Sequence, residues 1–352
     1  CIAPVITAKD SGLNRPLFLW TVHSSSSKAI MMLETASTAP VNITMTTTDI
    51  ILTVAFSVIV LINLIGNGLV CLVVLRFHGM KAPLNYLLVN LAVSDMMVAL
   101  AITPQYVVKW AFHHPNGTAG DYMCKFITGG SFIWIGGAAS AFSLAAIAVE
   151  RYLTVVRPRG ELPGRRNSRR LTAAIMGSWI YSLVFNLPWF FVVHYEDSKF
   201  HCMEHWPNKT LAKAYTVGAF FFFGVIPMGV MAPLYSKILS RVWKRGERTP
   251  LLLTTDQAKL KRKLKVTRMV AVISILYTVC WLPNLVLYML SQFEPDLYAY
   301  GSNTYITSVV LVGLNSATNP FIYTLCSSNF RRNIRGALSF GKSTPPFMRY
   351  ER

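Results

Sequence analysis

The 352 residues predict an all-α protein: a bundle of seven membrane-crossing helices, followed by a short amphipathic helix on the membrane surface. Three observations predict it. The chain is 53% hydrophobic and only 14% charged, where a soluble domain carries about a quarter charged residues. Mean hydropathy is +0.42. Seven apolar stretches, at 50–75, 84–110, 126–156, 171–193, 211–242, 266–290 and 305–325, are each long enough to cross a bilayer. None alternates with period two, so they read as helices and not as barrel strands.

Residues 1–48 are rich in Ser and Thr and too short to hold a core, so a disordered extracellular segment is expected there. Residues 1–30 carry no signal-peptide pattern. Either translation starts at Met31 or Met32 and residues 1–30 are foreign to the true product, or the whole stretch is a genuine ectodomain. The membrane domain is expected over 49–326, and the amphipathic helix with a short cytoplasmic tail over 327–352.

Orientation follows from the basic residues. Segments 76–83, 151–170, 237–268 and 329–352 hold 26 of the 34 Lys and Arg. The positive-inside rule therefore places the N-terminus outside and the C-terminus inside. That same blockwise placement between apolar runs is why the net charge of +19 is not read as a nucleic-acid surface. The glycosylation sequons at Asn42, Asn116 and Asn208 all fall in segments assigned outside.

Asp95 is the only acid deep inside any crossing, and a carboxylate at that depth is costly enough to be a functional candidate. Asn67, Ser140, Asn315 and Asn319 are its expected companions. Together these oxygens suit either a small hard cation or a hydrogen-bonded polar knot. Cys124 and Cys202 lie in outside segments, the only ones open to oxidation. A bridge between them would close 78 residues, for roughly 4–5 kcal/mol on the chain-entropy model; two free thiols are the alternative. Glu150-Arg151-Tyr152 ends the third helix. It reads as an interface anchor, or as an arginine held near the bundle by Glu150 until something draws it away. Pro104, Pro188, Pro227 and Pro320 are expected to kink or end four helices, and Pro283 in Cys280-Trp281-Leu282-Pro283 to kink the sixth. Beyond the seventh, Phe330, Ile334 and Leu338 recur every four residues while Arg331, Arg332 and Arg335 point elsewhere, which predicts the amphipathic helix.

Gly66-Asn67, Leu91-Ala92-Val93-Ser94-Asp95, Glu150-Arg151-Tyr152, Trp179, Pro227 with Tyr235, Cys280-Trp281-Leu282-Pro283 and Asn319-Pro320-Phe321-Ile322-Tyr323 follow in order on successive helices. The set resembles the rhodopsin-like G-protein-coupled receptors over about residues 49–340. The resemblance implies a multi-pass plasma-membrane receptor in which an extracellular ligand shifts the bundle so that its inner face admits a heterotrimeric G protein. It implies membrane lipid and arrestin as further partners, no enzyme activity, and no cofactor beyond an allosteric sodium ion. That ion would sit at Asp95, Ser140, Asn315 and Asn319. The inner switch would comprise Glu150, Arg151, Tyr152, Tyr235, Asn319, Pro320 and Tyr323. The activation hinge would comprise Trp281, Pro283 and Tyr277, the last standing where the family usually has Phe.

Three departures from the family pattern stand out. The spacing from Cys124 to Arg151 is about two residues long, with Gly129-Gly130 and Gly136-Gly137 inside it, and a π bulge would absorb the excess. Lys263 stands where some members carry an acid. No cysteine follows Cys326, so a palmitoyl anchor is not expected.

Residues 305–325 contain no lysine for a retinal Schiff base, and 125–149 contain no acid for an amine. The chain is most similar to neuropeptide receptors of the RFamide, neuropeptide Y and tachykinin type. The expected ligand is a peptide with a basic or amidated end. Gln105, Tyr106, Ile133, Trp134, Asn284, Tyr288, Tyr305 and Val309 would line its pocket, under a lid carrying Glu196, Asp197 and Glu204. Glu294 and Asp296 add acids nearby; a solvated rim balanced by Lys199, Lys209 and Lys213 is the plainer reading. A non-peptide ligand stays open, as does a transporter or channel, which would need a polar path or paired broken helices. No nucleophile–base set points to an enzyme.

Overall fold

The computed structural model describes residues 45–80, 82–156, 164–196, 201–248 and 254–338. The expected N-terminal segment with its alternative starts, Asn42, Asp197, Lys199, the side chain of Lys263 and the tail beyond 338 lie outside the described residues.

Among the described residues, seven helices are long and apolar enough to cross a membrane, and large hydrophobic side chains stay exposed along them, such as Ile51, Val54, Leu61 and Ile65 on the first. An exposed apolar belt of this kind is tolerable only against lipid. The protein is a multi-pass membrane protein.

α1 (Thr47–Arg76) opens with a capping box: Thr46 Oγ1 accepts the Asp49 N–H at 3.2 Å, and Asp49 Oδ2 accepts the Thr46 N–H at 3.2 Å. The helix therefore begins two residues before the expected boundary. α2 (Pro83–Ile102), with proline in its first turn where no N–H is needed, runs into a π turn over Thr103–Val107 that contains Pro104.

The third crossing begins earlier than the apolar pattern suggested. α3 (Gly117–Met123) passes into a π turn over Cys124–Thr128. Gly130 then takes φ 78° as the N-cap of α4 (Ser131–Val155). The expected π bulge is present, but the left-handed glycine breaks the helix as well. Gly136 and Gly137 lie inside regular α4 and let neighbours approach. A Cβ on Gly136 would meet the Ser94 carbonyl at 2.9 Å, and one on Gly137 would meet the Trp281 ring at 2.0 Å.

α5 (Gly164–Asn186) ends just before Pro188, and a single turn, α6 (Trp189–Val192), finishes the fourth crossing. A hairpin follows that the sequence reading did not find. β1 (Val193–Glu196) pairs antiparallel with β2 (His201–Glu204) in the register Val193↔Glu204 and Tyr195↔Cys202. The fifth crossing joins α7 (Lys209–Ala219), a π turn over Phe220–Val225 and α8 (Ile226–Arg248). α9 (Thr254–Phe293) carries Pro283 and α10 (Asn303–Cys326) carries Pro320. In α11 (Ser328–Leu338), Phe330 is buried and packs on Tyr323 at 5.7 Å between ring centres. Ala337 closes the buried stripe, while Leu338, expected on it, is 64% exposed; a 3.6-residue period favours 330, 334 and 337 over a strict spacing of four.

Two of the prolines are answered by side chains from other helices. Proline supplies no N–H to the carbonyl four residues earlier. Pro227 so deprives Phe223, whose carbonyl accepts the Tyr277 hydroxyl at 3.0 Å; Pro320 deprives Ser316, whose carbonyl accepts Asn67 Nδ2 at 3.0 Å. In lipid this substitution is what makes a helical proline tolerable. Asn90 knits three crossings together. Its Nδ2 donates to Ser143 Oγ at 2.8 Å and Ser178 Oγ at 3.0 Å, and its Oδ1 accepts from Trp179 Nε1 at 2.9 Å.

Candidate functional site

Three stations run along the bundle: a cavity under the hairpin, a polar cluster at Asp95 and a buried arginine at the far end. At the hairpin end, Cys124 and Cys202 are bridged, which ties β2 to the π turn above the third crossing. The cavity beneath is lined by Gln105, Tyr106, Ile133, Trp134, Asn284, Tyr305 and Val309, all expected, together with Tyr300, Gly130 and Val312, which were not. Its free space is about 10 Å³, room for about one water. Trp134, Tyr288 and Trp189 fill the neighbourhood, with ring centres 5.0 to 6.1 Å apart. Tyr300 precedes the seventh crossing in an irregular loop. Its ring, 4.7 Å from that of Tyr305, carried no periodic signal that could have singled it out.

Tyr288 and Glu204, also expected in the pocket, lie above the cavity and not in its wall. Glu204 Oε2 accepts from Trp206 Nε1 at 2.6 Å, Tyr288 Oη at 3.2 Å and Gln292 Nε2 at 3.5 Å. Burial pushes the Glu204 carboxyl up to about 7, against the pull of the Trp206 and Tyr288 donors. Glu204 Oε1 and Gln105 Oε1 are among the buried oxygens with no donor among the described residues. Of the other acids expected to form a lid, Glu196 pairs with His205 at 3.5 Å.

Trp281 forms the floor. Its ring lies 6.2 Å from Trp134 and stacks on Tyr277 at 5.7 Å, against the bare backbone of Gly137.

Below it, Asp95 Oδ1 accepts from Ser140 Oγ at 3.0 Å and Oδ2 from Asn319 Nδ2 at 2.7 Å. Asn63 Nδ2 donates to the Asp95 carbonyl at 3.1 Å and Asn67 Nδ2 to Asn63 Oδ1 at 3.1 Å. The amide oxygens of Asn67, Asn315 and Asn319 are buried with no donor among the described residues. Ser140 and Asn319, of the expected companions, hydrogen-bond the carboxylate; for Asn315 no such bond is present among the described residues.

At the far end Arg151 is only 8% exposed and forms an ion pair with Glu150, whose other oxygen accepts from Thr154 Oγ1 at 3.0 Å. Tyr235 pairs with Ser274 Oγ at 3.3 Å. Tyr323 is buried on the seventh crossing, next to Phe330.

Seven crossings, a bridged hairpin roofing a cavity, a buried carboxylate and an internally paired arginine define a helical membrane receptor architecture. The chain belongs to the 7 transmembrane receptor (rhodopsin family), whose model matches residues 66–323. Galanin receptor type 1 of Rattus norvegicus is 29% identical over 285 residues, 79% of each chain. The RYamide receptor of Drosophila melanogaster is 28% identical over 285 residues, 76% of this chain and 59% of that one. Probable G-protein coupled receptor 19 of Rattus norvegicus is 29% identical over 281 residues; the alignment takes in 80% of this chain and 65% of that relative's length.

Proposed function

We propose that this protein is a plasma-membrane receptor for an extracellular peptide with a basic or amidated end, which it answers by activating a heterotrimeric G protein. The single observation that carries the ligand class is the pair of buried acceptors without donors at the cavity, Gln105 Oε1 and Glu204 Oε1. A buried acceptor left unpaired costs about 1–3 kcal/mol. A guanidinium or a terminal amide brings N–H donors in pairs and relieves that cost, with the aromatic walls stacking on neighbouring side chains. The relatives whose names specify galanin and RYamide support a peptide. With room for about one water, the cavity admits a larger ligand only if side chains such as Trp134 and Tyr305 part.

In this reading the hairpin faces outside, with glycans on Asn116 and Asn208, and also on Asn42. Asn208 caps α7 through Oδ1, which accepts the Leu211 N–H at 2.7 Å, so the cap does not consume the nitrogen that carries sugar. The orphaned amide oxygens around Asp95 suit a sodium ion held by Asp95, Ser140, Asn315 and Asn319. Trp281, Tyr277 and Pro283 relay the ligand's arrival. Arg151, released from Glu150, meets the G protein together with Tyr152, Tyr235, Pro320 and Tyr323, and arrestin uses the same inner face.

The experiment is nucleotide exchange on a co-expressed G protein, driven by synthetic peptide amides ending in Arg-Phe or Arg-Tyr and by their Arg→Ala analogues. Glu204→Lys should lower the potency of the arginine peptides far more than that of the alanine analogues. Equal losses, or no response to any peptide amide, would sink the ligand class.

A further inference from the structure

Both strands of the hairpin are held to the third crossing. The disulfide from Cys124 holds β2 at Cys202. The other tie is Asp121, three residues before Cys124 on α3. Its Oδ1 accepts the Tyr195 backbone N–H at 2.8 Å, and its Oδ2 lies 2.9 Å from His194 Nδ1. His194 Nε2 in turn lies 3.1 Å from the Phe191 carbonyl. Both partners of the ring, Asp121 Oδ2 and the Phe191 carbonyl, are acceptors. Lys125, one turn along, adds a positive charge beside the carboxylate, and the His205 ring stands edge-on to His194 at 5.8 Å.

Strand alternation explains why this matters for the cavity. Val193 and Tyr195 share a face with Cys202 and Glu204, their partners in the register, whereas His194 projects from the opposite face. The clasp grips β1 on one face and at its backbone, and Glu204 points from the other face. Beyond the disulfide, β2 is paired to β1 in the register Val193↔Glu204, and the His205 N–H donates to the Val192 carbonyl at 2.7 Å, so the height of β1 bears on that of Glu204.

We propose that Asp121 is a positioning residue: by clasping His194 and the Tyr195 amide it sets the height of the hairpin and so keeps the Glu204 carboxylate buried above the cavity. The inference deepens the reading of Glu204 as the ligand's partner, and its test needs no ligand. With the clasp gone, β1 lifts, water reaches Glu204, and the carboxyl returns toward ordinary acidity.

The readout is the infrared carbonyl band of protonated Glu204 in the purified full chain, assigned by its loss in Glu204→Gln and followed against pH. The wild-type midpoint is expected near 7. Asp121→Ala and His194→Gln are each expected to lower it by about one pH unit or more. The second variant separates positioning from a through-space charge effect, because His194→Gln removes no negative charge and so lowers the midpoint only through the lost clasp. Lost clasping lowers both. Asp121→Asn, which keeps an acceptor for Tyr195, serves if the alanine variant fails to fold. An unchanged midpoint, or opposite shifts in the Asp121 and His194 variants, overturns the proposal. Failure of the peptide test above would remove the ligand and leave this result untouched.

Discussion

Tyr277 shows how one hydroxyl can matter in this bundle. The family's usual Phe at that place has nothing to offer the carbonyl that Pro227 deprives, and here Tyr277 donates to it at 3.0 Å from the neighbouring crossing. Interhelical hydrogen bonds in membranes contribute about 0.6 kcal/mol on average and up to about 1.7. Tyr277→Phe should therefore lower the thermal stability of the purified protein by about 1 kcal/mol and alter ligand-free nucleotide exchange, since it loosens the fifth crossing from the sixth beside Trp281. A melting curve and a basal exchange rate indistinguishable from wild type would show that the bond is idle. Glu204 makes a second residue-scale case. Its folded carboxyl, at about 7, lies above the ordinary 4.5. An acid shifted upward by folding weakens the fold as pH rises from about 4.5 to about 7, because the unfolded chain releases its proton first. Above about 7 the carboxylate is charged and ready for a cation. The potency of an arginine peptide amide should then rise between pH 6 and pH 8, and Glu204→Gln should flatten that rise.

At the scale of elements, the third crossing and the hairpin carry the irregularity. Gly130 is held at φ 78°, and a side chain there would also come within 3.0 Å of Gln105 Oε1. An L-residue in the left-handed region costs about 1–2 kcal/mol. Gly130→Ala should lower stability by that amount and weaken peptide potency as well, because the atom it displaces is one of the two unpaired acceptors; a stability loss with unaltered potency would detach Gln105 from the ligand. Little of this was legible beforehand. The extra length between Cys124 and Arg151 was readable as a π bulge, and the π turn is there, but which glycine pair broke the helix was not. Gly129-Gly130 and Gly136-Gly137 look alike as dipeptides. One pair ends a helix and the other makes room for Val98 and Trp281, a distinction created by neighbours on other crossings. The hairpin strands, at four residues each, are too short to declare a period.

At the scale of the whole molecule, the Asp95 cluster touches the first, second, third and seventh crossings. A cation seated at its carboxylate would bind this packing and stabilise it against any other. Raising sodium at constant ionic strength should weaken agonist potency, and Asp95→Asn should abolish the dependence. A sodium effect surviving in the mutant would place the ion elsewhere.

The class of fold, the seven crossings and the place of Asp95 were determined by the sequence, because hydrophobic thickness and charge placement act on composition and short spacing alone; the cysteine pair was left with free thiols as its alternative, and the structure joins Cys124 to Cys202. Seven of the cavity residues were also readable, since they lie on helices whose motifs fix their depth. What the tertiary structure alone decided is where side chains from distant crossings meet. Asn90 against Ser143, Ser178 and Trp179, and Asp121 clasping His194, join residues up to 89 apart in the chain. Tyr277 answering Pro227 and Asn67 answering Pro320 belong with them. In lipid every deprived backbone group must find a partner somewhere in the bundle, and only the packing of one helix against another determines which residue supplies it.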